Sequence, residues 1–264
     1  MDLAAAHEFL LENKFDIIHA HTISGSLFAP LRKAPTVVTT HIRAEELRGM
    51  YSALDDYIKL IAISNRQRSL SPNLNWFDTI YHSVKLEEFS FSARSSDRAV
   101  AIGRFHPEKG FHNAINICRK AGIPLVIVGR LIKQEEKEYF TKTIEPLLDK
   151  DIKVVFNAPR GQIIEILQKA YCLIHAVEVE EAFGLVMVEA MSCGTPVLGL
   201  RRGAIPEIVA EGVTGWVRDT PDHLVELISQ VKKLDRAACR KHASTFSTEV
   251  MAGRYEEAYR SVLT

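Results

Sequence analysis

Short apolar runs rich in Val and Ile alternate with longer amphipathic segments along most of this 264-residue chain. "DIIHAH" (16–21), "TVVTT" (36–40), "KLIAIS" (59–64), "TIYHSV" (79–84) and "AVAIGR" (99–104) read as strands. So do "PLVIVG" (124–129), "IKVVF" (152–156), "YCLIHA" (171–176) and "PVLGL" (196–200). Several are apolar on both faces, as parallel strands covered by helices on either side must be. The segments 110–121, 133–149, 160–170, 184–193 and 221–234 read as helices. Strands alternating with helices imply βαβ units, parallel sheets and right-handed crossovers.

The polar, Ser-rich stretch 86–99 interrupts the pattern and reads as an interdomain linker. It divides the chain into a partial first domain, 1–89, and a second domain, 90–247, with enough βα units to be doubly wound. The final segment, 248–264, places Met251, Tyr255, Tyr259 and Val262 on one helical face. That face needs a docking surface, and we expect the helix to pack back toward the first domain.

Thirty-three basic residues balance thirty-three acidic ones, which argues against a nucleic-acid surface and against a polybasic membrane patch. Peripheral membrane contact is not indicated. Cys118, Cys172, Cys193 and Cys239 are widely spaced without a CxxC pair, so buried thiols in a reducing, cytoplasmic setting are expected. Neither a signal-peptide pattern nor an apolar run of about 20 residues is present.

Two constellations carry chemistry. In "YCLIHAVEVEEAFGLVMVEAMSCG" a strand leads through an acidic loop into an almost wholly apolar helix that ends at Gly194. The Phe183-Gly184 pair opens that helix, and its free amides and positive dipole end suit a phosphate. Glu189 is the only charged residue from Phe183 through Leu200. A buried carboxylate needs donors, which ribose hydroxyls or an internal Arg or amide could equally supply. In "AIGRFHPEKGFHNAI" a strand again leads through a loop into a helix, with Arg104 and Lys109 flanking the loop. The pair reads either as a diphosphate clamp or as two solvated cations. No GxGxxG, P-loop or GxSxG occurs. His19, His21 and His41 form a weak metal signal, with hydrogen-bonded histidines the better reading, and no metal site is expected. Cys193 reads as an inert core thiol.

These motifs resemble the retaining glycosyltransferases of family 4. "EAFGLVMVE" is similar to that family's E-x7-E signature and runs on into "AMSCGTPVLGL" and "GAIPEIV" in family order. "GRFHPEKG" resembles its donor-phosphate motif. "FDIIHAH", "VVTTHI", "IAISNRQR" and "TIYHSVKLEEF" resemble the later strands of its amino-terminal domain. The resemblance implies a GT-B-like α/β fold of two Rossmann-like, doubly wound parallel-sheet domains, the first incomplete. It implies that Arg104 and Lys109 hold the diphosphate of a nucleotide-diphospho-sugar, helped by amides near Phe183, Gly184 and Leu185. It further implies that Glu189 binds the ribose and that Glu181 and His41 meet the transferred sugar. The implied reaction is metal-independent and needs no cofactor. The implied partners are a UDP- or GDP-sugar donor and a carbohydrate, lipid or small-molecule acceptor.

The sequence departs from the family in three places. A typical member begins with three further strands, so a partner chain, a second copy or upstream sequence is expected to complete the first sheet. His82-Ser83 stands where the family usually has Asn-Gly, and "GRL" (129–131) where a second glycine is common. The alternative to a working transferase is a silent nucleotide-sugar-binding subunit that needs a partner; a sugar-phosphate synthase is a third reading.

Overall fold

The computed structural model describes residues 3–264. They form two compact units, one of residues up to His82 together with Glu249–Thr264, the other Ser83–Thr248.

The first unit contains β1 (Ile18–Ala20), β2 (Thr36–Thr39), β3 (Ile58–Ala62) and β4 (Trp76–Thr79) in one parallel sheet of order β1-β2-β3-β4. Helices α1 (Leu3–Glu12), α2 (Ile23–Leu27), α3 (Arg48–Ala53) and α4 (Asn65–Leu70) connect it. The strand expected at 79–84 lies three residues earlier, because Trp76 and Phe77 carry its apolar content. The last helix joins this unit, and Met251, Tyr255, Tyr259 and Val262 pack on a core containing Val37, Ile61 and Ile80. β1 is an edge strand, and Phe9, Leu11, Phe15, Leu27 and Leu31 of this unit are exposed.

The second unit holds β5 (Ala99–Arg104), β6 (Leu125–Arg130), β7 (Ile152–Phe156), β8 (Leu173–His175), β9 (Val197–Leu200) and β10 (Gly215–Arg218). All are parallel, in the order β10-β9-β8-β5-β6-β7. This is the doubly wound Rossmann order, whose switch point lies between β5 and β8. Its helices are α5 (Phe111–Ala121), α6 (Gln134–Tyr139), α7 (Arg160–Lys169), α8 (Leu185–Ser192), α9 (Ile205–Ile208), α10 (Pro221–Ile228) and α11 (Arg236–Ala243), with α12 (Thr248–Leu263) leaving for the first unit. β8 and β9 are buried along their whole length, which is why they read as unbroken apolar runs.

The helix expected over 133–149 stops at Tyr139 and continues as a π turn and a 3-10 turn containing Pro146. Proline has no N–H to give the ladder and clashes with the carbonyl four residues back, so the α geometry cannot run through. β10 and α11 carried no clear signal, since α11 places Arg236 with Cys239 and Ala243 on its buried side.

The stretch 86–99 is no free linker, and the units divide at residue 82 rather than 89. Phe89 is buried, Ser92 N–H donates to the Cys193 carbonyl, and Arg240 donates to the carbonyls of Leu86 and Phe89. The polar stretch is strapped to the second unit by backbone carbonyls, which its side-chain composition does not reveal.

Candidate functional site at the switch point of the second sheet

Crossovers leave β5 and β8 in opposite directions, so their loops part and open a crevice at the strands' carboxyl ends. The β5 loop carries Arg104 and Lys109; the β8 loop carries Glu178 to Phe183. Hydrogen bonds stitch the two loops together. Glu178 N–H donates to the Glu108 carbonyl at 2.9 Å, while the Glu178 carboxylate meets Asn113 Nδ2 at 2.9 Å and His112 Nε2 at 3.0 Å.

Lys109 Nζ donates to Glu181 Oε2 at 2.6 Å, with the two side chains only 21% and 17% exposed. Burial opposes ionisation of Glu181, but His175, Lys109 and Arg104 together outweigh it and hold the carboxyl below its ordinary range. The Arg104 side chain makes no hydrogen bond or ion pair among the described residues, so its guanidinium stands open beside this pair.

The loop after β9 fixes the carboxylate's backbone. Ala204 N–H donates to the Glu181 carbonyl at 2.8 Å, and Gly203 N–H donates to Glu180 Oε2 at 2.8 Å. A Cβ on Gly203, at φ 55°, would lie 2.0 Å from the Glu181 carbonyl oxygen. Only glycine permits this approach.

Gly184, at φ 90°, caps α8 without a side-chain hydrogen bond, which leaves the first amides of the helix open. A Cβ there would meet Met187 Cε at 2.6 Å and lie 3.3 Å from Glu181 Cγ and 3.5 Å from His175 Nε2. The helix start, Glu181 and His175 therefore share one spot. Phe183 is buried against Phe246 at 5.9 Å between ring centres, whereas Leu185 is 40% exposed at the helix mouth. Along α8, Met187, Val188, Ala190 and Met191 are all buried at 0% exposure. Burying each of the larger side chains stabilises the unit by about 1.5–3 kcal/mol, which anchors the helix end that faces the crevice. Gly194 follows its last turn at φ 86°, as the helix-ending reading expected.

The Glu189 side chain, one turn into α8, makes no hydrogen bond or ion pair among the described residues. Burial pushes its carboxyl above the ordinary range, with Arg160 offsetting only part of the shift. The internal partner that a buried carboxylate could have had is therefore not there. The four cysteines are buried and unpaired, and burial raises the Cys193 thiol to about 12. No group of three or more His, Cys, Asp or Glu among the described residues is arranged to hold a metal ion.

Sequence reasoning missed His175. Its only signal was a polar residue closing the apolar run "YCLIHA". Its Nε2 is buried without a hydrogen-bond partner, 3.9 Å from Glu181 Oε2. Burial lowers its pKa from 6.5 to about 4, Glu181 opposing and Lys109 adding to the shift. The folded protein thus keeps the ring neutral to about pH 4 where the unfolded chain takes up a proton near 6.5. The unfolded state binds more protons between these values, so stability is complete above about pH 6.5 and is lost as pH falls toward 4. The loss amounts to about 3 kcal/mol. Urea midpoints at pH 7 and pH 4.5 should separate clearly for the native protein and by less in His175→Gln, where the lowered His19 and His82 still contribute. An equal separation in that variant would rule His175 out as the cause.

His41 lies in the first unit, two residues beyond β2, with its nitrogens facing His21 and His82. The His19 ring bridges Tyr259 and Thr39 at 2.6 and 2.8 Å.

A cavity of about 340 Å³ opens at the carboxyl ends of β5, β6 and β7, lined by Gly103, Val128, Gly129, Arg130, Asn157 and Ile163 among others. It begins one residue from Arg104.

The family described as Glycosyl transferases group 1 matches residues 86–246. Trehalose synthase of Pyrococcus horikoshii is 32% identical over 142 residues, which are 50% of this chain and 34% of that protein. N-acetyl-alpha-D-glucosaminyl L-malate synthase of Bacillus anthracis is 32% identical over 120 residues, 42% of this chain and 31% of the relative. D-inositol 3-phosphate glycosyltransferase of Mycobacterium tuberculosis is 35% identical over 124 residues, 42% of this chain and 25% of the relative. The matched segments thus span about a third or less of these relatives. Among solved structures, Anabaena Alr3699/HepE in complex with UDP and glucose aligns with a TM-score of 0.83 at 20% identity, covering 98% of this chain and 81% of that one. Sucrose-phosphate synthase from Thermosynechococcus elongatus aligns with a TM-score of 0.83 at 18% identity, covering 98% and 77%. The shared fold is GT-B, in two Rossmann-like halves with parallel sheets of four and six strands.

Proposed function

The chain belongs to the group 1 glycosyl transferases, and from that premise we propose that it moves a sugar from a nucleotide-diphospho-sugar to an acceptor hydroxyl with retention of configuration and without a metal. The observation that carries this reading is the convergence of Arg104, Lys109 and Glu181 beside the open amino terminus of α8.

In this reading Arg104 and Lys109 receive the diphosphate, with the amides at Gly184 and Leu185 completing the anion site. Lys109 leaves Glu181 for the phosphate, which frees the carboxylate to face the sugar. Glu189, held without an internal partner, takes the ribose hydroxyls. The base enters the cavity beside Gly103. A related fold has been solved with UDP and glucose, which supports a uridine donor. Breaking the glycosyl–phosphate bond builds negative charge on the diphosphate, and fixed cations at that point stabilise it without metal. Positive charge grows on the sugar, where Glu181 opposes it. The acceptor oxygen attacks from the face the diphosphate leaves, and its proton passes to a phosphate oxygen. No helix among the described residues is long and apolar enough to cross a membrane. A cytoplasmic setting suits the four unpaired, buried cysteines.

A second reading is a nucleotide-sugar-binding subunit whose turnover needs a partner chain or a second copy. It is favoured by the outer edge of β1, which pairs with no strand among the described residues, and by the exposed Phe9, Phe15, Leu27 and Leu31 of the same unit. Calorimetry with UDP and GDP, alongside a donor-turnover assay on purified protein, separates the two. Turnover by the chain alone rules out the silent subunit; failure to bind either nucleotide defeats both.

A further inference from the structure

In the first unit three imidazoles stand in a row at the carboxyl ends of the strands. His21 follows β1 directly, His41 lies two residues past β2, and His82 three residues past β4. His21 Nδ1 and His41 Nε2 are 2.9 Å apart, and His41 Nδ1 and His82 Nε2 are 3.2 Å apart. The His41 and His82 rings are parallel within 4°, their centres 5.0 Å apart; His21 and His41 are inclined by 28° at 5.2 Å. Such N···N distances are hydrogen bonds.

A neutral imidazole has one N–H and one lone pair. His41 therefore donates on one side and accepts on the other, and each choice dictates its neighbours. With its proton on Nδ1, His41 donates to a bare His82 Nε2, so His82 carries its proton on Nδ1. His41 Nε2 is then bare, and His21 must donate from Nδ1. The opposite choice reverses all three rings. His19 stands outside the row: its ring centre is 4.0 Å from that of His21, but both its nitrogens are engaged by Tyr259 and Thr39.

We infer that His21 and His82 are positioning residues for His41, fixing its ring plane and tautomer so that the three rings act as one hydrogen-bonded unit. The inference rests on the role that the family resemblance gives His41, contact with a sugar hydroxyl. Both His41 nitrogens are engaged within the row, so a sugar hydroxyl must replace one neighbour and take over that neighbour's donating or accepting part. His82 stands where the family resemblance leads one to expect Asn, which gives this chain a ring partner for His41 at that position.

The test is long-range ¹H–¹⁵N spectroscopy of the imidazoles in uniformly labelled protein, with the three rings assigned by single substitution. His41 is expected as one pure tautomer in the native protein and as an average of two in His82→Phe. His82→Asn, whose amide can donate or accept at the same place, should restore a single tautomer. In donor-turnover assays His82→Phe should lower kcat about 10- to 100-fold with KM little changed, as misplacement of a contacting group does. His82→Asn should recover most of that loss. Should His82→Phe not fold, His21→Phe applies the same test at an exposed position. A His41 ring that averages in the native protein, or that keeps one tautomer in the Phe variants, overturns the inference whether or not sugar is transferred. Pure tautomers lost in the Phe variants, in a native protein without turnover, would support the row and count against the sugar-transfer reading instead.

Discussion

Lys109→Ala is expected to lower kcat/KM for donor turnover by about 100- to 1,000-fold while the fold persists, the loss seen when one preorganised transition-state donor is removed. Lys109 acts on two groups. In the reading above it neutralises charge on the departing diphosphate, and in the structure it pairs with Glu181 at 2.6 Å. Without it, burial of Glu181 is opposed only by His175 and Arg104, so the carboxyl pKa rises. The acid limb of the pH–rate profile should therefore move to higher pH in Lys109→Ala, a change that loss of binding alone would not produce. Arg104→Ala should lose a similar factor, since its open guanidinium has no internal partner to release. Because Lys109 and Glu181 touch, the double variant should lose less than the sum of the single losses. Transfer undiminished in Lys109→Ala, Arg104→Ala and Glu181→Ala would refute the site.

Arg236→Met should destabilise the second unit by about 1–3 kcal/mol or more, the cost of leaving buried acceptors without their donor. Arg236 is 9% exposed. It donates to the carbonyls of Ser92, Ala170, Gln168 and Cys193 and to Thr195 Oγ1, at 2.7 to 3.4 Å. Gln168 and Ala170 end α7 and Cys193 ends α8, so one cation meets the negative ends of two helices. Methionine fills most of the volume but leaves these acceptors buried and unmatched. A urea titration should show the midpoint falling with an unchanged slope. A loss below about 1 kcal/mol would mean that water or the neighbouring Arg240 replaces those bonds.

Much of the second unit was legible because its buried strands are continuous Val- and Ile-rich runs that few other structures accommodate. β5, β7 and α7 start where their apolar periodicity starts. The carboxylate at 181 and the cations at 104 and 109 were legible as exceptions to that pattern. β10 and α11 were not, because one is a four-residue strand and the other buries an arginine. His175 was read as one more residue of a strand. What makes it unusual, a buried nitrogen 3.9 Å from Glu181, depends on a loop that returns to it in space.

From residue order alone came the parallel α/β class and the two loops that bear charge, since periodicity and isolated charges are local properties. Which strands are neighbours was decided only in three dimensions. The order β10-β9-β8-β5-β6-β7 brings β5 beside β8, although the segments are separated by two intervening strands in the chain. That adjacency, set by packing of the whole sheet, is what turns Lys109 and Glu181 into a pair and leaves Arg104 open beside them.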